Sequence, residues 1–465
     1  RRQRQMCIRD SLDTVSDPSA AGALGGRKKP VLVTCRHRDE GGYFSGSEEE
    51  RRRILAEALS LGAEFVDVEW NRACADLIDQ TGGRRIVLSH HDFSGVPADL
   101  AHKAGAMLGS GAEVVKLSVM ANRLSDNLVL RDLGRNTRAP MVLVGMGMAG
   151  VPSRVLATWM GSAWTYSGEG VAPGQVPPQR MIEEFRFRHI TSHTAVYGLL
   201  GKPVTHSVSP AMHNAAFRAA HQDAVYLPLA AADFDDFMTF AGAVGLRGAS
   251  VTAPFKVDAF ERADECDPVS RRIQSVNTLR CDQGKWLGCN TDVTGFLAPL
   301  ESQHRLAHMR ATILGAGGAA RSVAEALAAA SASVSISARN PLRAQAVASL
   351  TGASVTERPP RPESWDLLVN ATPVGTVPHR EASPLPDDYS FHPGGVVYDL
   401  VYNPPDTRLL RDAERAGCRT IGGLDMLVAQ AQAQFAWWTG STPADRVMRD
   451  AALTQLAVMG RDSQQ

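Results

Sequence analysis

The sequence has no excess of either charge: its 465 residues hold 49 Lys and Arg against 49 Asp and Glu. That balance argues against nucleic acid or an anionic membrane as a main partner. No apolar run reaches the ~18 residues that a membrane-spanning helix needs, and the opening residues do not read as a basic-then-apolar leader. The seven cysteines are scattered, with no CxxC pair and no Cys/His cluster. A disulfide scaffold and a metal site are therefore not expected, and a reducing, cytoplasmic setting is. Internal repeats and low-complexity tracts are also absent. What is present is ordinary for a folded chain: 44% hydrophobic and 21% charged residues, with length for about three domains at roughly 150 residues each. Residues 1–9 stand apart. They are polar, aperiodic and basic, start with Arg1 rather than Met, and read either as a truncated or foreign start or as a basic tail.

From Val31 onward short apolar runs recur, at 31–35, 64–70, 85–89, 114–120, 141–146 and 163–166. Helical patterns lie between several of them, as at 48–61 and 98–108. Strands alternating with helices predict βα units and a parallel sheet. Reactive side chains follow the run ends: Arg36 after the first, His91 after the third. Such strand ends are where α/β enzymes place their chemistry. Residues 171–178 carry four Pro or Gly in eight and predict a loop. The polar stretch 186–194 predicts a linker. A second α/β unit begins with a helix near Pro210 and runs at 225–229 and 246–251. A third is clearer: a strand at 311–314, a glycine turn at 315–318, an Ala-rich helix at 319–330 and a strand at 334–338.

The turn of that third unit contains Gly315, Ala316, Gly317, Gly318 and Ala319. Glycines there let backbone N–H groups approach a pyrophosphate at a helix N-terminus. Ala320 stands at the third glycine position, but the strand before, the helix after and the second strand about 20 residues on supply the context such a motif needs. Beyond the second strand come Arg339 and Arg343. An NAD site wants Asp or Glu there for the ribose hydroxyls. Arg suits a 2′-phosphate, so the predicted cofactor is NADP(H).

Residues 197–213 read YGLLGKPVTHSVSPAMH. With GASVTAPFK (248–256), SVNT (275–278), GCNTD (288–292), GAGGAA (315–320), NATPVG (370–375), YDLVYNPPDTRLL (398–410) and GGLDMLVAQ (422–430), the chain from 195 to its end resembles shikimate dehydrogenases. Ser207 and Ser209 are hydroxyls suited to a substrate carboxylate. Alone, Lys256 reads as a surface lysine. The resemblance pairs it with Asp292 beside the reacting hydroxyl, as acid/base and orienting groups. It also implies that Thr252, Asn277 and Gln430 hold ring hydroxyls and that Thr372 and Gly423 contact the cofactor. Two residues depart from the pattern: Ser250 stands where most members have Asn, and Ala338 where many have Asn.

Lys116 lies inside the apolar run 114–120. Burial there lowers an amine's pKa and makes it a nucleophile for a ketone. TCRHRDEGG (34–42), VDVEW (66–70), LSHHDF (88–93), KLSVM (116–120), GMGMAGVPSR (145–154) and VAPGQ (171–175) resemble type I 3-dehydroquinate dehydratases, which are (β/α)8 barrels. The resemblance makes Lys116 the imine-forming residue and His91 the general acid/base. Side chains alternate along a strand, so His90 should face away from His91. Arg154 and Gln175 match contacts to the substrate carboxylate and hydroxyls, Arg36 and Glu40 match further contacts, and Glu69 lies near the strand end in the same site. Val171 replaces a Ser usual in the family, which removes one hydrogen bond. The family has two more strands before Val31, the second ending in Glu-x-Arg-x-Asp. Asp10 fits the end of that pattern, with Met6 and Ile8 at the Glu and Arg positions.

The two resemblances imply an α/β chain: an N-terminal (β/α)8 barrel that reads as N-terminally truncated, with about six strands, fused to a two-domain shikimate dehydrogenase with a Rossmann NADP-binding domain. The expected boundaries are an atypical segment 1–30, the dehydratase 31–185, a linker 186–194, the shikimate-binding domain 195–298 completed by helices at 424–460, and the NADP-binding domain 299–423. The implied substrates are 3-dehydroquinate, 3-dehydroshikimate and shikimate, handled in two consecutive steps, with no metal, nucleic acid or membrane. The incomplete barrel carries the expectation of dehydrogenase activity with little or no dehydratase activity. Two other readings stay open: a quinate/shikimate dehydrogenase with an inactive dehydratase half, and a non-catalytic sensor of pathway intermediates. Lys116, His91, Lys256 and Asp292, all retained, weigh against the sensor.

Overall fold

The computed structural model describes residues 8–15, 19–70, 75–170, 172–205, 207–301 and 306–462. It comprises two compact units, Arg1–Thr194 with Leu229–Ala243, and Ala195–Pro228 with Val244–Gln465.

The first unit is built on six strands in sequential order: β1 (Ile8–Ser11), β2 (Val31–Thr34), β3 (Phe65–Glu69), β4 (Ile86–Asp92), β5 (Val114–Met120) and β6 (Met141–Met146). Every neighbouring pair is parallel. The helices Glu48–Ser60, Ala75–Thr81, Leu100–Gly109 and Asp126–Arg135 provide crossovers. Ser47 starts the first of these by accepting from Glu50 N–H at 3.2 Å, and Glu48, Glu49 and Glu50 in its first turn suit the helix dipole. Strand residues alternate in destination. Val33, Val66, Leu88, Leu117 and Leu143 pack outward with helix residues such as Leu55 and Met107. Leu32, Val87, Val114, Val142 and Val144 form a separate inner cluster. Period-two alternation thus gives the sheet one face for helices and one for the site.

Two expectations need correction. The segment 1–30, read as atypical, supplies β1 and the short helix Ala20–Leu24. β1 escapes a sequence reading because it is only four residues long and polar. Conversely, 163–166 is not a strand. Ala163 N–H donates to Met141 O at 2.7 Å, but the backbone then leaves the edge of β6, and Trp164 and Tyr166 pack on the inner cluster. Among the described residues the sheet has six strands, with a different membership from the one expected.

The second unit holds two sheets. One is mixed, in the order β10 (Glu265–Cys266), β12 (Lys285–Cys289), β11 (Thr278–Asp282), β9 (Gly248–Val251), β7 (Ala195–Leu200), β8 (Ala224–Leu229). The other is parallel, in the order β15 (Ser354–Val355), β14 (Ser333–Ser337), β13 (Arg310–Leu314), β16 (Leu367–Asn370), β17 (Val396–Asp399), β18 (Arg419–Ile421). Taken in chain order that is 3-2-1-4-5-6, the doubly wound dinucleotide-binding arrangement, whose ligand crevice lies where the order reverses, between β13 and β16. The helix Gly423–Thr439 starts beside this crevice. A Cβ at Gly423 would come within 2.4 Å of Leu400 O, so only glycine permits that approach.

Candidate active sites

In the first unit, strand register lines up Glu69, Ser89, Lys116 and Val142 across β3 to β6. Thr34 and Asp67 pair likewise on β2 and β3. The inner face therefore carries a run of polar groups above an apolar floor. Lys116 is 3% exposed, and its Nζ lies 3.0 Å from Asp67 Oδ2. Burial pushes its amine down to about 7. Asp67 resists that fall, whereas Arg36 and Arg9 add to it. Asp67 also takes Arg36 Nη2 at 2.8 Å and Ser89 Oγ at 2.6 Å. Burial disfavours its charge, but Arg36, Lys116 and Arg9 outweigh that and hold the carboxyl well below the usual range.

His91 Nδ1 lies 2.9 Å from Glu40 Oε2 and 3.0 Å from Arg36 Nη1. Burial first, then Arg36 and Lys116, push its pKa well below the usual value, so the ring is neutral near pH 7. Burial, with Glu69 nearby, raises Glu40 to about 7. Glu69 accepts from His37 N–H at 3.0 Å and pairs with buried Arg51, which fixes the start of the segment carrying Arg36 and Glu40. Arg36, Glu40, Glu69, His91 and Lys116 thus form one charged cluster. His90 faces outward and meets Trp70 edge-on. Asp92, next to His91 in sequence, instead accepts from Ser94 and Gly95.

Arg154 and Gln175 meet the loop after residue 171. Arg154 Nη2 donates to Pro173 O at 3.2 Å, and Gln175 Oε1 accepts from Ala172 N–H at 3.1 Å. Arg154 is 2% exposed, its Nε has no hydrogen-bond partner, and among the described residues no carboxylate pairs with it. Burial lowers it to about 10, which leaves it a cation at neutral pH. A buried cation without an anion is expensive unless a ligand supplies one.

In the second unit, Ser207, Ser209, Thr252, Lys256, Asn277, Asp292, Ala319, Thr372, Gly423 and Gln430 line one cavity of about 450 Å³. Lys256 opens the helix Lys256–Arg262, Asp292 sits in the first turn of the helix Thr291–Glu301, and the two meet at 2.5 Å. Asn277 Nδ2 donates to Asp292 Oδ1 at 2.7 Å, while its Oδ1 accepts from Thr291 N–H and Thr278 Oγ1. Its carboxamide is thereby engaged in orienting Asp292. Ser207 Oγ accepts from Ser209 N–H at 3.2 Å, and Gln430 Nε2 donates to Leu427 O.

Gly315, Ala316, Gly317 and Gly318 lie on the turn from β13 into the helix Gly318–Ala329. Gly315 has φ +115°, and a Cβ on Gly317 would meet nothing within 4 Å. A Cβ on Gly318 would lie 3.3 Å from Lys256 Cδ, so the turn and Lys256 are neighbours. Arg339 and Arg343 are exposed just past β14. A glycine turn open at Gly317, with two exposed arginines past the next strand that have no ion-pair partner among the described residues, fits a dinucleotide with a 2′-phosphate.

Several residues went unassigned in the sequence. Asp67 sits at an inner position of β3, a signal that period-two alternation carries. Arg9, rather than Ile8, pairs with Leu32 in register, and its guanidinium lies 5.7 Å from the Tyr166 ring. Met6 lies outside the described residues, as do Val171 and His206. Tyr402, Ser250 and Gln434 line the second cavity. Tyr402 bonds Ser207, and Ser250 accepts from Tyr226 and donates to Gln434.

Comparison with known proteins agrees with this division. The type I 3-dehydroquinase family profile matches residues 10–192. The shikimate dehydrogenase substrate binding domain matches 199–279, and the shikimate 5′-dehydrogenase C-terminal domain matches 423–453. The chain is 34% identical over 442 residues to a bifunctional, chloroplastic 3-dehydroquinate dehydratase/shikimate dehydrogenase of Arabidopsis thaliana, covering 88% of this chain and 73% of that one. It is 45% identical over 285 residues to the NADP(+) shikimate dehydrogenase of Moorella thermoacetica, covering 56% of this chain and 95% of that one. The Thermus thermophilus shikimate 5-dehydrogenase, solved with NADP(H) and shikimate, superposes with a TM-score of 0.53 at 37% identity, over 56% of this chain and 99% of that one. With both halves matched in order along most of its length, this chain belongs to the bifunctional 3-dehydroquinate dehydratase/shikimate dehydrogenase family.

Proposed function

We infer that the chain dehydrates 3-dehydroquinate to 3-dehydroshikimate and reduces that ketone to shikimate with NADPH. In the first step the Lys116 amine adds to the substrate ketone and loses water to form an imine. Neutral His91 takes a proton beside the imine carbon at Nε2, the nitrogen not engaged by Glu40 and Arg36, and returns it to the departing hydroxyl. Arg154 receives the carboxylate, Gln175, Arg36 and Glu40 the hydroxyls, and Glu69 steadies the segment that carries them. Restoration of Lys116 by water releases the product.

In the second step Lys256 and Asp292 deliver a proton to the ketone oxygen and orient it. Ser207 and Ser209, with Tyr402, take the carboxylate, and Thr252 and Gln430 take ring hydroxyls, while Asn277 fixes Asp292. NADPH, when bound, supplies the hydride. Backbone from Gly315 to Ala319 cradles its diphosphate, Arg339 and Arg343 its 2′-phosphate, and Thr372 and Gly423 its edge at the cavity. The functional boundaries we propose are a dehydratase that includes β1 and runs to 185, a shikimate-binding part at 195–298 with 424–460, and an NADP-binding part at 299–423, with 186–194 as the linker.

The observation that carries this reading is a pair of separate lysine–aspartate constellations, Lys116 with Asp67 and Lys256 with Asp292, each in its own unit. Lys116→Ala should abolish 3-dehydroquinate dehydration and leave 3-dehydroshikimate reduction intact. Lys256→Ala should do the reverse, with turnover down roughly 10²–10⁴-fold. A variant that lowers both activities, or neither, contradicts the assignment.

A further inference from the structure

Tyr166 follows β6 and lays its ring against the inner apolar cluster of Leu32, Val114 and Val144. Lys116 Nζ sits over that ring, 4.9 Å from its centroid. The ring is therefore a wall of the chamber in which the amine acts. Its hydroxyl oxygen is buried, and the described residues offer its proton no hydrogen-bond acceptor. The Trp164 indole N–H faces that oxygen as a hydrogen-bond donor, but an indole N–H can only donate, so the Tyr166 proton has no acceptor among the described residues. Burial foremost, and then Asp67, hold the phenol protonated, so it has an O–H to donate at neutral pH.

A buried donor without an acceptor is uncommon, because its desolvation is uncompensated until an oxygen arrives. Phenylalanine would fill the same apolar wall without that penalty. The chain thus holds a hydroxyl donor without an acceptor among the described residues beside the Lys116 amine.

We propose that Tyr166 contacts the substrate in the dehydratase step, donating to the oxygen on the carbon that Lys116 attacks. The proposal rests on the reading of Lys116 as the imine-forming residue. When the amine nitrogen bonds to the carbonyl carbon, the π pair moves to oxygen, and the phenol O–H supports that charge. A proton then passes from nitrogen to oxygen. The carbinolamine takes one further proton from solvent and loses water, leaving a protonated imine. Tyr166 keeps its own proton throughout.

The test is Tyr166→Phe in the full chain, which keeps the ring and removes the oxygen. Adduct formation at Lys116, trapped with borohydride and 3-dehydroquinate and read by mass spectrometry, should slow about tenfold, the effect of one lost hydrogen bond. The pH midpoint of trapping should not move, and NADPH-dependent reduction of 3-dehydroshikimate should be unchanged. Equal trapping rates in a labelled wild type overturn the proposal, as does a pH shift without a slower plateau. A wild type that gives no adduct overturns the Lys116 reading itself, and this proposal with it.

Discussion

Lys116 Nζ donates to Asp67 Oδ2 over 3.0 Å, inside a sheet face where both side chains are buried. The same oxygen takes Arg36, so one carboxylate ties the amine to the cation nearest His91. Asp67 opposes the fall of the Lys116 pKa caused by burial and by Arg36.

Asp67→Asn removes that opposition while keeping an oxygen for Ser89. The acid limb of imine trapping should move below the wild-type midpoint of about 7. A pH profile of borohydride labelling reads this directly. An unmoved midpoint would mean that Asp67 does not act on the amine.

The same amine sets a pH dependence of stability. Its pKa is about 7 in the folded chain against an ordinary 10.5. Between those values the unfolded chain binds more protons, so stability rises with pH from about 7 to 10.5, as the folded state is freed of a buried charge. Lys116→Met should flatten that rise and be the more stable protein at pH 7. Urea midpoints at pH 7 and pH 9.5, compared between the two proteins, check the sign.

The parts of the fold legible in the sequence are those where a local pattern and the tertiary environment agree. The apolar run 114–120 is β5, and its lone lysine is buried as the pattern requires. The glycine turn at 315–318 meets a strand and a helix in the expected order because Gly315 adopts a φ of +115°. What was not legible depends on register across strands. Arg9 reaches the site because β1 pairs it with Leu32, and nothing within a four-residue polar segment announces that. Trp164 and Tyr166 are hydrophobic for the inner cluster and not for a ladder, so an apolar run there mimicked a strand. Asn277 is a pocket residue whose carboxamide is engaged by Thr278, Thr291 and Asp292, a division that spacing cannot reveal.

Arg339 and Arg343 stand exposed past β14 with no acidic residue in the ribose position. Arg339→Asp exchanges a phosphate partner for a hydroxyl acceptor and repels the phosphate. The kcat/KM ratio for NADPH over NADH in shikimate dehydrogenation and its reverse should fall by at least an order of magnitude, about 1.4 kcal/mol. Unchanged preference would place the 2′-phosphate elsewhere.

Arg154 offers a prediction in which activity and stability move in opposite directions. Its guanidinium is buried, lowered to about 10 by that burial, and pairs with no carboxylate among the described residues. In the free chain that charge destabilises the fold, offset in part by one bond to Pro173 O. With a substrate carboxylate opposite, it becomes half of a buried ion pair, and losing one partner of such a pair costs at least ~2 kcal/mol, or about 30-fold. Arg154→Met keeps the volume and removes the charge. Its thermal midpoint should rise, and its kcat/KM for 3-dehydroquinate should fall by about 30-fold or more, mainly through KM, with shikimate dehydrogenation untouched. If stability and dehydratase activity fall together, Arg154 is a structural cation whose partner lies within the chain, and the carboxylate of the substrate must be sought at Arg36 or Arg9 instead.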